Sequence, residues 1–466
     1  MVFLNSLSEK YVGKQIEIDC VDIEVHRFED NQPPIFKGPG IIKGGRAGRL
    51  SYKIYNQIQV NEEIFTYLKQ VKEENDPRKT NLRLFAKGYD GMRWNGAWSI
   101  PVLNIFQAPY MLVEGNFDQL GIRVQKMEGD RTLNSTELVF SDQFDLPLAG
   151  TVKVKSYHGE EVISTSFWGD HHAVAFDDSV IIFQKSSDKS RLHVTASNGD
   201  RFTPPHVENW ITEAMTFIAA RLVYPRMTIR HFEKDALVFI RATPKSTESG
   251  MPPPFSGGPD THDAFWKAFC AYLAKCKAIQ QFEPLEMTKG FSELCLASKG
   301  TLQGFLISLS VYIEFCVNLI FSTPEADTSE ESEYKEKVLD LVQHVSAWER
   351  DNTIRDRAKG LLSMLYAPSL PNRMEVLVEQ GVITEVQKRV WKKARPYLAH
   401  GNLIDFKSEE EFWHIRNHLI SMAYRLMLRI IGYKGLVLDY DGCKFGHVAY
   451  DWNDSKGGAT LQKRCL

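Results

Sequence analysis

Two different periodicities divide this chain. Up to about residue 245, apolar and polar positions alternate in short runs, the period-two pattern of half-buried strands. Gln15-Ile16-Glu17-Ile18-Asp19, Leu50-Ser51-Tyr52-Lys53-Ile54, Thr151-Val152-Lys153-Val154 and Ser179-Val180-Ile181-Ile182-Phe183 are examples, and Leu237-Val238-Phe239-Ile240 is another. Turn-forming clusters such as Gly88-Tyr89-Asp90-Gly91 and Asn198-Gly199-Asp200 punctuate them. Strands at this spacing predict antiparallel, sandwich-like or barrel-like sheets. The clearest helix of this half spans Asn209 to Leu222, with Ile211, Met215, Ile218 and Leu222 at helical spacing.

Beyond residue 260 the period lengthens to that of helices. Phe265, Phe269, Tyr272, Cys276 and Ile279 share one face. Thr301 to Phe321 is apolar nearly all round, the pattern of a helix at the centre of a bundle. Val338, Leu341, Val342, Val345 and Trp348 mark a further amphipathic helix, and Ile354, Ala358, Leu361 and Leu365 another. Thr323 to Lys335, acidic and serine-rich, reads as a surface loop. Thr384 to Ala394 predicts a helix that Pro396 stops or kinks at Arg395, because the residue before a proline is pushed out of the α region. Ser408 with Glu411 fits a capping box for the last helix. Phe412, Ile415, Leu419, Met422 and Leu426 form its apolar face, and Gly432 sits where a C-terminal glycine belongs.

The expected fold class is therefore α+β and multidomain: a β-rich half over 1–245, then an all-α bundle over 261–440. Residues 246–260, Ser-Thr-Glu-Ser-Gly-Met-Pro-Pro-Pro-Phe-Ser-Gly-Gly-Pro-Asp, read as a Pro/Gly linker, and 441–466 as a polar tail. The length of 466 residues agrees with two or three domains.

Charge and cysteine usage narrow the function classes. A net charge of −3 excludes a whole-surface attraction to nucleic acid, so any such contact is local. The N-terminus has neither a basic n-region nor a long apolar core, so no secretion signal is expected. Leu302 to Phe321 is long enough to raise a membrane span. Its Glu314 is costly in lipid, and no membrane partner is expected. The seven cysteines are scattered and contain no C-x-x-C pair, which reads as reduced thiols of a cytoplasmic protein.

Several stretches are weighed as chemistry and set aside. Gly38-Pro39-Gly40 and Gly44-Gly45-Arg46-Ala47-Gly48 match no phosphate-loop pattern and read as turns between strands. Asp170-His171-His172 puts neighbouring side chains on opposite faces of a strand, a poor metal site. Trp94, Trp98 and Trp168 fit either a sheet core or a recognition groove. No cofactor and no metal are expected.

The stretch that carries chemistry is Arg395-Pro-Tyr-Leu-Ala-His400. A guanidinium holds a phosphate in bidentate fashion, and a histidine near its ordinary pKa moves a proton at neutral pH. Placed four apart between two helices, R-x4-H is a minimal kit for cleaving RNA with the RNA's own 2′-hydroxyl.

On that motif, and on the closing helix IRNHLISMAYRLMLRIIGYKG, the C-terminal region resembles a HEPN domain. The resemblance implies metal-independent RNA cleavage, with His400 as acid or base and Arg395 stabilising charge on the phosphate. It also implies a supporting role for the acidic Glu314 in SVYIEFCVNLI, and a homodimer in which both motifs line one cleft. The β-rich half resembles more loosely the N-terminal region of ApeA-like anti-phage proteins, which implies a cytoplasmic defence protein whose first half senses a phage-derived trigger. One position departs from the family. Where nuclease members carry Asn, Asp or His after the arginine, this chain has Pro396. A non-catalytic HEPN-like module for binding or dimerisation is the alternative. Arg416 reads as a helix-surface charge.

Overall fold

A computed structural model describes residues 16–27, 33–44, 49–56, 82–105, 111–126, 134–141, 146–148, 153–157, 160–164, 169–186, 188–197, 202–242, 250–255, 261–281, 283–322, 329–363, 370–399, 408–441 and 446–453, with Val12, Lys69 and Gly199 besides. Backbone alone is described for 56, 98–105, 111, 153–157, 160–164, 329–335, 363 and 396–399. The chain is α+β: a large antiparallel sheet in the first half and helices in the second. It divides into two compact units. One is Met1–Glu213 with Val223–Thr247, the other Ala214–Leu222 with Glu248–Leu466.

The first unit holds a 13-stranded sheet. Strands β1 (Ile16–His26), β2 (Phe36–Gly44), β3 (Leu50–Asn56), β4 (Leu82–Gly88), β5 (Arg93–Ile105) and β6 (Met111–Phe117) pair antiparallel in the order β1-β2-β3-β6-β5-β4. β4 pairs back onto β1, so the ring closes into a six-stranded barrel. Closure leaves no unpaired edge in the ring. Alternation supplies the filling: Ile16, Ile18, Cys20 and Val25 of β1, Ile42 of β2, Tyr52 and Ile54 of β3 and Trp94 of β5 are all buried in one core. Trp94 is thus a core residue, whereas the Trp98 side chain and Trp168 lie outside the described residues. Gly115 is required by close packing, since a Cβ there would meet the Tyr52 ring at 2.5 Å.

Gly38-Pro39-Gly40 is not a turn. It lies inside β2, opposite the point where the β1 register shifts between Cys20 and Ile23. A bulge needs no amide donor from proline, and the small glycines fit beside it. The second glycine-rich stretch lies outside the described residues beyond Gly44.

From the first half of β5 the sheet continues through β7 (Gln119–Gln125), and then β15 (Asp235–Arg241), β14 (Met227–His231), β8 (Ser135–Phe140), β13 (Leu192–Ser197), β12 (Ser179–Lys185) and β11 (His171–Phe176). Strands β9 (Lys153–Tyr157) and β10 (Glu160–Ser164) form a separate hairpin. Helix α1 (His206–Ala219) starts and ends three residues earlier than its apolar spacing predicts. Its buried Glu208 takes Arg230 of β14 and Arg241 of β15, the latter at 2.9 Å. One buried carboxylate shared by two guanidinium groups ties the helix start to the sheet.

The second unit contains α2 (His262–Ile279), α3 (Glu286–Ala297), α4 (Leu302–Ile320), α5 (Ser329–Ser346), α6 (Asn352–Ser363), α7 (Leu370–Glu379), α8 (Glu385–Ala399) and α9 (Glu409–Ile430), followed by the hairpin β16 (Gly435–Asp439) and β17 (Gly446–Tyr450). Phe217 stacks on Tyr272 at 5.5 Å and meets Phe291 and Tyr424, an aromatic centre for the bundle. Ser408 caps α9 by accepting from the Glu411 amide at 3.2 Å. Gly432 ends the helix at φ +73°, with the Tyr433 amide donating to the Leu428 carbonyl and Gly432's to that of Arg429. That paired bonding is the left-handed glycine stop anticipated from sequence.

Three sequence expectations are corrected here. The acidic stretch read as a loop is helical from Ser329 onward. Residues 250–255 of the expected linker are built into the helical unit. Met251 and Phe255 are buried, and Tyr424 and Tyr440 donate their hydroxyls to the carbonyls of Pro252 and Pro253. Prolines have no amide to satisfy, so tyrosine hydroxyls need cover only the carbonyl side. Residues 243–249 and 256–260 lie outside the described residues. Of the expected polar tail, 446–450 form β17, and Tyr450 and Trp452 are buried.

Candidate functional site

Helix α4 supplies one wall of the site. Thr301 caps it, accepting from the Gly304 amide at 3.1 Å. Leu306, Leu309, Ile313, Cys316 and Val317 are buried in the bundle, and burial pushes the Cys316 thiol up to about 12. It is long and apolar enough to cross a membrane by length and composition, yet these residues serve as bundle core. The opposite face carries Ile307, Val311, Glu314 and Asn318, spaced one turn apart, with Val311 61% exposed.

Helix α8 supplies the second wall. Thr384 and Gln387 form a reciprocal capping box: the Thr384 amide donates to Gln387 Oε1 at 2.9 Å, and the Gln387 amide to Thr384 Oγ1 at 3.1 Å. Gln387, Val390, Trp391 and Ala394 are buried. The helix carries five cations, Lys388, Arg389, Lys392, Lys393 and Arg395, against one carboxylate, Glu385. In a chain of net charge −3 this is a local concentration of positive charge.

The two walls meet at Arg395. Its Nε donates to Glu314 Oε1 at 2.5 Å and its Nη2 to Oε2 at 3.2 Å, a bidentate pair, while its Cζ lies 5.5 Å above the Trp391 ring. The hydrogen bond to Glu314 raises the guanidinium pKa above its ordinary value, so it stays charged. Carboxylate and ring fix the side chain in place. Among the described residues only the Nε–Nη2 edge is occupied, which leaves the Nη1 side to receive an anion.

The HEPN resemblance implied only a supporting role for Glu314; the structure brings it together with Arg395 across 81 positions of chain. It also corrects the helix end. The helix does not stop at Arg395 but runs through Pro396 to Ala399, as tertiary packing of Trp391 and Ala394 outweighs the local preference. His400 lies outside the described residues.

Other side chains near this region were missed or misread. Arg416 is not a surface charge. It is half-buried, donates to the Gly250 carbonyl at 2.8 Å and lies 5.0 Å over the Trp413 ring. Burial lowers its pKa. His414 and His418, one turn apart on α9, have ring centroids 4.2 Å apart, and His418 Nδ1 is 2.9 Å from the His414 carbonyl. Burial lowers the His414 pKa, helped by His418 and Lys393. Arg373 of α7 donates to Asn318 Oδ1 at 2.7 Å. Its helix was not recognised from the sequence. No grouping of three or more His, Cys, Asp or Glu side chains placed to hold a metal ion occurs among the described residues.

Compared with known protein families, with curated proteins and with solved structures, the chain has no match.

Proposed function

We propose that the helical unit is a HEPN-type endoribonuclease that cleaves RNA without metal by attack of the 2′-hydroxyl. The observation that carries this reading is the Arg395–Glu314 pair, which holds a permanent cation in a fixed pose five residues before His400. Fixed donors aimed at developing charge supply the largest catalytic term in phosphoryl chemistry. Arg395 neutralises the phosphorane-like charge, and His400 moves the proton of the 2′-hydroxyl or of the leaving 5′-oxygen. One histidine per chain serves one role at a time, so two chains share a cleft as a homodimer. The ApeA-like resemblance of the β-rich half adds the biology: a cytoplasmic anti-phage protein whose first unit receives a phage-derived trigger.

The test uses the full-length protein with total RNA and a chelator, with phage lysate as trigger. Cleavage is expected to persist in chelator, and to vanish in Arg395→Ala and His400→Ala while both variants keep the parent's circular dichroism. Intact RNA with parent protein and trigger would instead favour a non-catalytic HEPN-like module. Two observations favour that second reading: Pro396 stands where a polar residue is usual, and the Ile307–Val311 face of α4 is apolar and exposed.

A further inference from the structure

Arg395 is not alone on its wall. Asn318 follows Glu314 by one turn of α4, a rise of about 6 Å. As Glu314 holds Arg395, so Asn318 holds Arg373, at 2.7 Å through Nη1. The side chains that hold the two guanidinium groups therefore lie on one face of a single helix, a turn apart. They differ in one respect. Arg395 has a carboxylate partner, whereas Arg373 has a neutral amide and the ring of Phe321, 5.7 Å from its Cζ. Among the described residues no carboxylate pairs with Arg373. Glu375, two residues on, is engaged by Lys388 at 2.6 Å. Lys392, exposed and three residues before Arg395 on the same side of α8, has no ion-pair partner among the described residues either. Burial lowers the Arg373 pKa, as expected of a cation left without a counter-charge.

A half-buried guanidinium without a carboxylate is costly unless an anion completes it. Its buried Nε has no hydrogen-bond partner among the described residues. We infer that Arg373 is a second phosphate site, which holds the neighbouring phosphate of the same RNA strand whose scissile phosphate lies on Arg395. This inference rests on the ribonuclease reading of that site. The spacing suits it, because neighbouring phosphates of an extended single strand are separated by a distance comparable to one helical turn. Asn318 suits it too: an amide orients the guanidinium without offsetting its charge, whereas an aspartate there would offset part of the charge that draws a phosphate. Arg373 is thus a positioning residue for a strand with at least two phosphates, and Lys392 extends the same positive track.

Two measurements on the full-length protein separate this inference from the reading beneath it. The first is binding of a short labelled 2′-O-methyl single strand, which cannot be cleaved, over a range of salt. Arg373→Gln is expected to weaken binding on the order of tenfold at low salt, the value of one charge-assisted hydrogen-bonded contact. It is also expected to make the slope of log affinity against log salt shallower by about 0.7, the loss of one phosphate contact on a single strand. Arg373→Lys should restore the slope, and Asn318→Asp should weaken binding less than Arg373→Gln, because it offsets the charge without removing the guanidinium. A purely structural role for Arg373 would leave the slope unchanged.

The second measurement is cleavage. Arg373→Gln should raise KM for an oligoribonucleotide with little change in kcat, and leave cleavage of a dinucleoside monophosphate, which has a single phosphate, at the parent rate. Parent protein that fails to bind the strand, or an unchanged slope in Arg373→Gln, overturns the second site. Binding with the expected slopes but no cleavage by parent protein sinks the ribonuclease reading and leaves the phosphate site standing.

Discussion

At the residue scale, Glu137 shows how a single carboxylate makes one unit's stability depend on pH. It sits on β8 between His193 of β13, whose Nδ1 is 2.8 Å from Oε1, and His231 of β14, whose Nε2 is 3.8 Å from Oε2. Burial works to raise its pKa, but the hydrogen bonds and charges of the two imidazoles outweigh burial and bring it from 4.5 down to about 2. A carboxylate depressed in the folded state adds stability above its unfolded pKa and loses it as pH falls through the folded value. The span from 4.5 to about 2 corresponds to about 3 kcal/mol. Glu137→Gln is therefore expected to melt well below the parent at pH 7, and the gap should close steadily between pH 4.5 and pH 2. A constant gap across that range, measured by thermal unfolding, would assign the loss to packing instead. No sequence pattern exposes this cluster. Glu137 and His193 are 56 positions apart and meet only through strand register. Glu314 was singled out through the HEPN resemblance, although nothing in its helix named Arg395 as its partner. Arg373 was not singled out, since its partner is an ordinary asparagine.

At the scale of elements, period and capping chemistry were enough for α4 and α9, whose ends follow Thr301, Ser408 and Gly432. The barrel strands were legible one by one from alternation, but ring closure depends on β5 being long enough to pair with both β4 and β6. The Pro/Gly stretch misled, because composition alone gives no sign that tyrosines of α9 and its following segment would capture its carbonyls. The end of α8 misled in the opposite direction. Pro396 has no N–H for the Lys392 carbonyl, and a proline in a helix interior costs up to about 3 kcal/mol, less this close to the end. Pro396→Ala is expected to raise the melting temperature by a few degrees. Pro396→Asn should also raise RNA cleavage severalfold, since it restores both the amide and a polar side chain beside Arg395. If Pro396→Asn gains stability yet cleaves no faster than parent protein, the proline is no brake on catalysis.

At the scale of the whole molecule, the α4 face that carries Glu314 is the surface on which assembly is expected. Ile307 and Val311 are 36% and 61% exposed there, two turns and one turn respectively before the carboxylate that fixes Arg395. Apolar side chains left in water beside a polar site are the composition of an interface core next to its functional rim. A second copy related by a two-fold axis would set the same stripe against itself and bring both Arg395 groups to one cleft. Val311→Glu is then expected to give a monomer by light scattering and to abolish cleavage without lowering the melting temperature of the isolated chain. The sharper measurement is a mixed dimer of parent and His400→Ala chains. If one histidine serves as base and its partner as acid, the mixed dimer loses well over half of the parent rate, because one proton-transfer role is vacant. A mixed dimer that keeps half the rate, or a Val311→Glu monomer that still cleaves, would mean that each chain carries a complete site of its own.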